Sequence, residues 1–276
     1  MPEISLANLG GTGALPGLSL QYLTEIFAGI FLASLRIGGF LLASPFFGGS
    51  TVPIQVRIIM AVLLGIVVIS NVTVPSLQSF DQMMGVQVVL TELAIGISVG
   101  LTLTIWFSAA LLAGEKIAGT SGLGFAAQMD PDSGGQTPVV SKMFSLFLTV
   151  IFLSWDGHLY VLRSVMDSYE LLPVGSMPAF PVLIQGVISA AGSMFMAAAI
   201  IMIPLVTFLI AINLGIGVIT RSAPQLNLFS FGFPITMLAV FILLYIWVDA
   251  LGGAFEELSR TAIENIQNIL LGMGHG

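Results

Sequence analysis

Two opposite charges lie inside apolar runs of the sequence, where an ionisable side chain is costly. Arg36 stands in FLASLRIGGFLLASP, and Glu92 stands in VVLTELAIGISVG. A charge at membrane depth points to function by default, because it needs a partner or a water-filled cavity. The alternative is that the two residues pair with each other, or with another subunit, and only fix helix packing. Both interpretations stay open at this stage.

Motifs of catalysis or metal binding are weak. The run DPDSGG places Asp130 and Asp132 at the first and third ligand positions of a calcium loop. Gly134, however, lacks the oxygen required at the fifth position, and Ser141 replaces the bidentate glutamate. The sequence has no cysteine and no phosphate loop, GxSxG or HExxH motif. We therefore predict a protein that is not an enzyme and that uses no cofactor or metal.

The elements that carry these residues are apolar enough for a membrane. Of 276 residues, 57% are hydrophobic and 8% are charged, and the mean hydropathy is +1.05. Soluble domains carry about 25% charged residues, so the predicted fold class is an all-α, polytopic membrane protein. The absence of a basic patch argues against nucleic acid as a partner. Residues 1–17 lack the positive n-region of a cleaved signal, so the first helix is expected to stay in the mature chain.

Six stretches reach or approach the length of about 20 apolar residues that spans a bilayer. They are Leu18–Ala43, Val56–Pro75, Val86–Ala113, Val139–Trp155, Val182–Thr220 and Ile235–Leu251. The fifth, if helical throughout, is about 58 Å long. Pro204 and two later glycines could bend it or end it early, or it protrudes from the membrane. Two more segments, Leu159–Tyr169 and the chain after Gly253, are amphipathic and predict helices on a surface or against a neighbour. The predicted apolar face of the first is Leu159, Leu162, Met166 and Tyr169, and that of the second is Phe255, Leu258, Ala262 and Ile269.

Loop cations predict the orientation of these helices. The loops after the first, third and fifth helices carry four basic residues: Arg57, Lys116, Lys142 and Arg221. The other loops and the tail carry Arg163 and Arg260. The positive-inside rule then puts the first set in the cytoplasm and both termini outside.

Glycines predict a close helix contact and an irregular segment. Gly96 and Gly100 follow Glu92 at a spacing of four, on one helical face, and allow another backbone to approach closely. Glycines then accumulate in Gly114–Lys142, the longest irregular stretch of the sequence. This segment is either an exposed loop or a re-entrant, pore-related element, because irregular backbone at membrane depth must be buried in protein or line a cavity.

Four sequence blocks resemble the FliR family of flagellar export-gate membrane proteins, along nearly the whole chain. The most specific is RSAPQLNLFSFGFPI, which is similar to the family's Pro–Gln–x–Asn–x–Phe–x–x–Gly–Phe–Pro run. The others are RIGGFLLASPFFGGSTVPIQVRI, TELAIGISVG and AGEKIAGTSGLGFAAQMDP. The blocks contain the residues that we predict to act in helix packing or ion pairing: Arg36, Arg57, Glu92, Gly96, Gly100 and Glu115.

The resemblance also implies an architecture and partners. Residues 18–180 would be a FliP-like part, and residues 182–271 a FliQ-like helical hairpin with a C-terminal amphipathic helix, within one export-gate domain over 1–276. The chain would join FliP-like and FliQ-like subunits around a secretion pore for unfolded flagellar proteins. It would meet lipid and, on the cytoplasmic side, an FlhB-like subunit. The expected location is the bacterial inner membrane, in the flagellar basal body.

Two groups of site residues follow from the same resemblance. A pore plug within 114–142 would use Gly122, Gly124, Phe125 and Met129. The hairpin turn would form a subunit interface through seven residues: Arg221, Pro224, Gln225, Asn227, Phe229, Gly232 and Pro234. The alternatives are the homologous subunit of a virulence type III injectisome and an independent secondary transporter. A transporter usually has two similar halves, and residues 182–251 have no visible counterpart in the first half.

Overall fold

The computed structural model describes residues 20–49, 52–72, 82–123, 139–223 and 231–274. Within these ranges the chain forms eight α-helices and no strand. The helices are α1 (Leu20–Ala43), α2 (Ile54–Asn71), α3 (Gln82–Ser121), α4 (Val139–Ser154), α5 (Gly157–Leu171), α6 (Phe180–Ser222), α7 (Phe233–Ile246) and α8 (Val248–Gly274). The apolar segments are helical because a backbone without water must satisfy its hydrogen bonds within its own segment.

The all-α prediction is confirmed, and each predicted stretch has its helix. The six apolar stretches correspond to α1, α2, α3, α4, α6 and α7, and the two amphipathic segments correspond to α5 and α8. Four helices are long and apolar enough to cross a membrane by themselves, and the number rises to six if each bent pair counts as one span. These counts refer to the described residues.

The predicted irregular segment Gly114–Lys142 is too long at both ends. Helix α3 continues to Ser121, and α4 already includes Val139–Lys142. Gly122 ends α3 with a φ of +81°, a left-handed conformation that glycine adopts without strain. Two earlier glycines, Gly114 and Gly119, do not break the helix. Gly114 packs against α4, and Gly119 has open space around it.

The fifth apolar stretch forms one continuous helix, α6, with Pro204 inside it. Its 43 residues measure about 65 Å at roughly 1.5 Å per residue. Of the alternatives that the sequence leaves open, the helix therefore neither ends at Pro204 nor stops at the later glycines. It exceeds the roughly 30 Å hydrocarbon core by a factor of about two.

Two pairs of helices are bent sharply at short breaks. Helices α4 and α5 meet at 67° around Trp155 and Asp156, where Asp156 has a φ of +54°. Helices α7 and α8 meet at 67° around Trp247. The predicted sixth stretch ended at Leu251, but α7 ends at Ile246 and α8 begins at Val248. Asp249, the one charge within the predicted run, lies in the first turn of α8, where the helix dipole favours it.

The chain divides into two compact units. Unit 1 comprises Met1–Gly100, Ser164–Leu183 and Leu270–Gly276. In its described part, α1 packs against α2, and Gly65 of α2 lies close to the backbone of Ser34. A Cβ atom on Gly65 would be 3.2 Å from the Ser34 nitrogen, so a small residue sets the distance between these helices.

Unit 2 comprises Leu101–Arg163 and Ile184–Ile269. Helices α3 and α4 touch where Gly114 faces the backbone of Ser141, since an added Cβ would be 2.6 Å from the Ser141 Cα. Edge-to-face aromatic pairs fill the interior: Phe107 with Phe152, and Phe144 with Phe255, each with centroids 5.3 Å apart. The predicted apolar face of the C-terminal helix is confirmed, because Phe255, Leu258, Ala262 and Ile269 are buried.

Candidate functional site

The two charges that the sequence placed in apolar runs meet in the interior of unit 1. The Arg36 Nε donates to Glu92 Oε2 at 2.8 Å, and Nη2 donates to Glu92 Oε1 at 3.1 Å. Each side chain is 1% exposed. The planar guanidinium thus forms a bidentate ion pair with both carboxylate oxygens, which adds geometric specificity as well as energy.

Further partners surround the guanidinium. Its Nη1 donates to the Ser168 hydroxyl at 2.8 Å, and Nη2 donates to the Leu172 carbonyl at 2.9 Å. Its carbon lies 4.1 Å from the centroid of the Tyr169 ring. The Tyr169 hydroxyl in turn donates to the Ala33 carbonyl at 2.6 Å. We call Arg36, Glu92, Ser168, Tyr169 and the Leu172 carbonyl the Arg36 cluster.

The Arg36 cluster ties together α1, α3, the end of α5 and the segment that follows it. Gly175, in that segment, has a φ of +88° that only glycine adopts easily. A buried ion pair is tolerable when hydrogen bonds satisfy its remaining polar atoms, and here most of them are satisfied. Geometry alone therefore supports a packing role for the two charges.

Gly96 and Gly100 bring α3 against the backbone of α1. A Cβ on Gly96 would be 2.8 Å from the Arg36 carbonyl carbon and 2.9 Å from the Phe40 nitrogen. A Cβ on Gly100 would be 2.7 Å from the Ala43 Cβ. These distances leave no room for a side chain, so the two glycines set the close approach that lets Arg36 reach Glu92.

Arg57 and Glu115 occupy different surroundings from the buried pair. One nitrogen of Arg57, Nη2, donates to the Gly49 carbonyl and, at 2.8 Å, to the Val52 carbonyl. Arg57 therefore closes the connection between α1 and α2, with backbone oxygens in place of an anionic partner. Glu115 is exposed on α3 and makes no ion pair with the residues that the structure describes.

A second group of contacts in unit 2 joins the end of α3 to the start of α7. A Cβ on Gly122 would be 2.6 Å from the Phe233 ring, so this glycine leaves the space that the ring fills. The Thr236 hydroxyl donates to the Ser121 carbonyl at 2.9 Å, across 115 residues of sequence. From α6, the Asn213 amide donates to the Thr120 carbonyl at 2.9 Å. Together α6 and α7 satisfy carbonyls that the end of α3 leaves open.

The predicted hairpin-turn and plug residues are only partly placed. Arg221 is exposed in the last turn of α6, Gly232 is buried just before α7, and Pro234 is exposed in its first turn. Gly122 ends α3. The other predicted residues of both groups lie outside the described residues: Gly124, Phe125, Met129, Pro224, Gln225, Asn227 and Phe229.

Some important residues carry no sequence signal. Ser168 is a fully buried hydroxyl on α5, and its partner Arg36 is 132 residues away. The predicted apolar face of α5 is wrong at Leu159, which is 53% exposed, while Val165, Ser168 and Tyr169 are buried. The buried face of α5 is therefore rotated from the predicted one and includes the polar Ser168, which accepts a hydrogen bond from Arg36. Only a map of contacts could have identified this serine.

The fold and the buried ion-pair cluster define a polytopic helical membrane protein. Residues 27–262 match the family described as "Bacterial export proteins, family 1". Because the match covers most of the chain, the chain belongs to this family.

Individual relatives agree with the family. The flagellar biosynthetic protein FliR of Pectobacterium carotovorum is 29% identical over 240 residues, which cover 87% of this chain and 92% of the relative. FliR of Escherichia coli K12 is 30% identical over 210 residues, 75% of this chain and 79% of the relative. The surface presentation of antigens protein SpaR of Shigella flexneri is 29% identical over 153 residues, 55% and 59% of the two chains.

These findings confirm the resemblance to the FliR family. The function is flagellar protein export, and the place of action is the membrane part of the bacterial flagellar export apparatus. Membership of the family implies that the chain belongs to an export-gate complex. Its part there is that of a non-enzymatic transport component. The independent secondary transporter is thereby set aside.

Proposed function

We propose that the chain forms part of the wall of the secretion pore of the export gate, through which unfolded flagellar proteins pass. Its neighbours in the gate are FliP-like and FliQ-like subunits, and an FlhB-like subunit contacts it on the cytoplasmic side. The proposal extends the family membership over residues 27–262 to particular partners and surfaces.

The unburied apolar surface of α6 carries the proposal. In its most apolar window only 22% of the residues are buried. Large apolar side chains are exposed along the whole helix, among them Ile188, Phe195, Ile200, Leu214 and Val218. Lipid covers about 30 Å of a spanning helix, and α6 is about 65 Å long. Helices of other subunits are the natural cover for the remaining apolar surface.

The two parts of the chain take different positions in the proposed gate. Residues 18–180 form the FliP-like part, and residues 182–271 form the FliQ-like hairpin with its amphipathic end. In support, α6 and α7 are the two apolar helices of the second part, and the block RSAPQLNLFSFGFP joins them.

The connection between α6 and α7 serves as a docking surface for neighbouring gate subunits. Arg221 offers an exposed cation at the end of α6, and Gln225 and Asn227 follow it in the sequence. On its other side, the Phe233 ring rests on Gly122 and the Thr236 hydroxyl is bonded to α3. These contacts fix the start of α7 against the end of α3. A docking surface needs a fixed position of this kind.

The segment after Gly122 acts as the plug of the closed pore. A channel wide enough for an unfolded chain must exclude ions at rest, and apolar constrictions do so by expelling water. Phe125 and Met129 supply apolar bulk, and Gly122 and Gly124 allow the backbone changes that opening requires. This role rests on the family resemblance and on the sequence.

The comparisons favour a flagellar gate over a virulence injectisome. The FliR proteins of Pectobacterium and Escherichia coli are covered over 92% and 79% of their length, whereas SpaR, on the injectisome side, is covered over 59%. The full Pro–Gln–x–Asn–x–Phe–x–x–Gly–Phe–Pro run is also the more flagellar form.

Co-purification tests the proposed complex. The tagged chain would be co-expressed with FliP-like and FliQ-like subunits of the same bacterium, extracted in detergent and weighed by native mass spectrometry. Arg221→Ala and Asn227→Ala should lower the yield of the complex and the swimming motility of a strain that depends on the chain. Ser222→Ala is the matched control, because among the described residues its hydroxyl bonds to the Val218 carbonyl of its own helix.

The outcomes separate the parts of the proposal. A wild-type chain that extracts alone, with both partners well expressed, would contradict the complex itself. A normal complex and normal motility in both hairpin variants would contradict only the docking surface. Each variant must first reach the membrane in wild-type amounts.

A further inference from the structure

A cleft of about 240 Å³ in unit 2 has no role in the function proposed above. It lies beside the break between α4 and α5, where Phe152, Trp155 and Tyr160 form one wall. Successive turns of α8 form the other wall and contribute Arg260 and Glu264. The cleft thus combines aromatic surface with one cation and nearby carboxylates. It is smaller than the roughly 300–1,000 Å³ that drug-sized ligands occupy.

The guanidinium of Arg260 is held in a fixed orientation. Its carbon lies 3.9 Å from the centroid of the Trp155 ring. One nitrogen, Nη2, lies 3.3 Å from Glu256 Oε1, while the Arg260 side chain remains 50% exposed. A guanidinium that stacks through its face keeps N–H donors along its edge, and this edge suits the oxygens of a phosphate.

One carboxylate in the cleft is left without a cationic partner. Glu256 is neutralised by Arg260, whereas Glu264 makes no ion pair with the residues that the structure describes. Glu264 is exposed, one helical turn beyond Arg260, which is a rise of about 6 Å for four residues. The cleft therefore offers a site for an anion and a site for a cation at the spacing of one turn.

The cleft also lies where apolar helices give way to amphipathic ones. Helices α4 and α7 are apolar, and α5 and α8 each turn away from them by 67°. A helix turned this far from a spanning direction runs closer to the membrane plane, as amphipathic helices in the headgroup region do. Trp and Tyr are concentrated in the same region, and Trp155 and Tyr160 are 44% and 55% exposed.

We propose that this cleft binds the headgroup of a phospholipid that carries a phosphodiester and a primary ammonium, as phosphatidylethanolamine does. Arg260 holds the phosphodiester, and Glu264 holds the ammonium. Trp155 and Tyr160 contact the glycerol and the first acyl carbons. Bound lipid would fix the angle between α4 and α5 and the position of α8, since its ligands come from both sides of the cleft.

Lipid titration of the purified, delipidated full chain tests the proposal. Native mass spectrometry would count bound dioleoyl phosphatidylethanolamine, phosphatidylglycerol and phosphatidylcholine in separate titrations. The wild-type chain should bind the ethanolamine lipid most tightly, because phosphatidylglycerol lacks the ammonium and the choline group cannot donate N–H bonds to a carboxylate. Soluble phosphoethanolamine, added alone, should bind more weakly than the lipid, since it lacks the glycerol and acyl carbons.

Two variants separate the two ends of the headgroup. Arg260→Gln should weaken phosphatidylethanolamine and phosphatidylglycerol alike, by about tenfold, the usual effect of losing a charge-assisted hydrogen bond. Glu264→Gln should weaken only the ethanolamine lipid and remove its preference over phosphatidylglycerol. Arg163→Gln and Glu257→Gln are the matched controls, because neither residue lines the cleft.

Several results would overturn the assignment. They are equal binding of all three lipids by the wild-type chain, unchanged lipid binding in both cleft variants, and loss in the control variants to the same extent. Phosphoethanolamine that binds as tightly as the lipid would show a soluble ligand instead. If Arg260→Gln does not fold, as judged by circular dichroism and gel filtration, the selective loss in Glu264→Gln decides the question.

Discussion

At the scale of the residue, the decisive event is the burial of Arg36. Removing a guanidinium and a carboxylate from water is expensive, and their attraction offsets the cost only with near-ideal geometry and further hydrogen bonds. Both conditions hold here, with a two-pronged ion pair and two more acceptors for the guanidinium. The consequence is asymmetric, because losing one charge is far worse than losing both.

A double-mutant cycle tests this asymmetry. Arg36→Leu or Glu92→Leu alone should cost about 3–5 kcal/mol, because each leaves an uncompensated buried charge. The double variant should be more stable than either single variant, because no charge is left behind. Thermal unfolding of the detergent-solubilised chain gives the melting temperatures of all four proteins.

Glu115→Leu is the matched control for Glu92→Leu, since Glu115 lies on the same helix but is exposed. It should change the melting temperature little. If the two single variants and the double variant lose stability additively, the pair carries no coupling and the packing role is wrong. Glu92→Gln refines the result: a stable glutamine variant would mean that hydrogen bonding suffices without charge.

At the scale of the element, glycines decide how closely helices approach. The Arg36–Glu92 distance depends on the contact of α1 with α3, and this contact has no room for a side chain at Gly96. The same principle acts at Gly122, where the missing side chain leaves space for the Phe233 ring. The positions of small residues in the sequence thus determine how far apart the packed helices lie.

Gly96→Ala should destabilise the chain by about 1–3 kcal/mol, the usual cost of forcing atoms into a well-packed site. The added methyl meets the Arg36 carbonyl and the Phe40 nitrogen, which belong to backbone and cannot rotate away. Gly85→Ala, on the same helix and with open space around it, should be neutral or slightly stabilising. Melting temperatures measured side by side would show the difference, and equal effects would mean that α1 can shift at no cost.

At the scale of the whole molecule, the chain leaves much apolar surface uncovered. In the most apolar windows of α2 and α6, 17% and 22% of residues are buried, compared with 56% for α3. Since such surface is unfavourable in water, lipid and partner subunits must supply the rest. The apolar surface of such a chain is covered only in the assembled complex. The effect of a variant on the gate is therefore best measured in that complex.

Shortening the plug segment tests the seal in the assembled gate. The structure assigns Gly122 to the end of α3, so the deletion should begin after Leu123 and remove residues 124–129. Cells that co-express this variant with the other gate subunits should leak potassium, because the apolar bulk of Phe125 and Met129 is gone. Potassium efflux is compared with that of cells that carry the intact gate.

The control deletion removes six residues from the N-terminal segment, 5–10, which precedes the first helix. It should leave potassium retention normal. A gate as tight with the 124–129 deletion as without it would mean that the seal lies elsewhere, while loss of the whole complex would point to a structural role for the segment.

The sequence by itself determined the eight helices and the family. An apolar run in a water-free environment has to be helical, because each N–H must find a carbonyl in its own segment. The existence of each helix therefore follows from hydropathy, and for α1 its end does as well, since it was predicted at Ala43 and is found there. The hairpin block identified the family because its specific residues rarely occur together by chance.

Hydropathy could not predict where helices really stop. Helix α3 extends eight residues beyond the predicted Ala113, through glycines and charges that favour a loop in isolation. Tertiary contacts override this preference, since Gly114 packs on α4 and the last carbonyls are bonded from α6 and α7. The two hydrogen bonds span 93 and 115 residues of sequence, a separation that no local pattern records.

The tertiary structure alone decided what the buried charges do. The sequence showed that Arg36 and Glu92 are costly and left their partners open, because helical periodicity gives the face of a residue but not the neighbour that it meets. The crossing of α1 and α3 at Gly96 brings them together across 56 residues. Ser168 and the Leu172 carbonyl complete the cluster only because the end of α5 arrives at the same point, and long-range packing is what sets that meeting place.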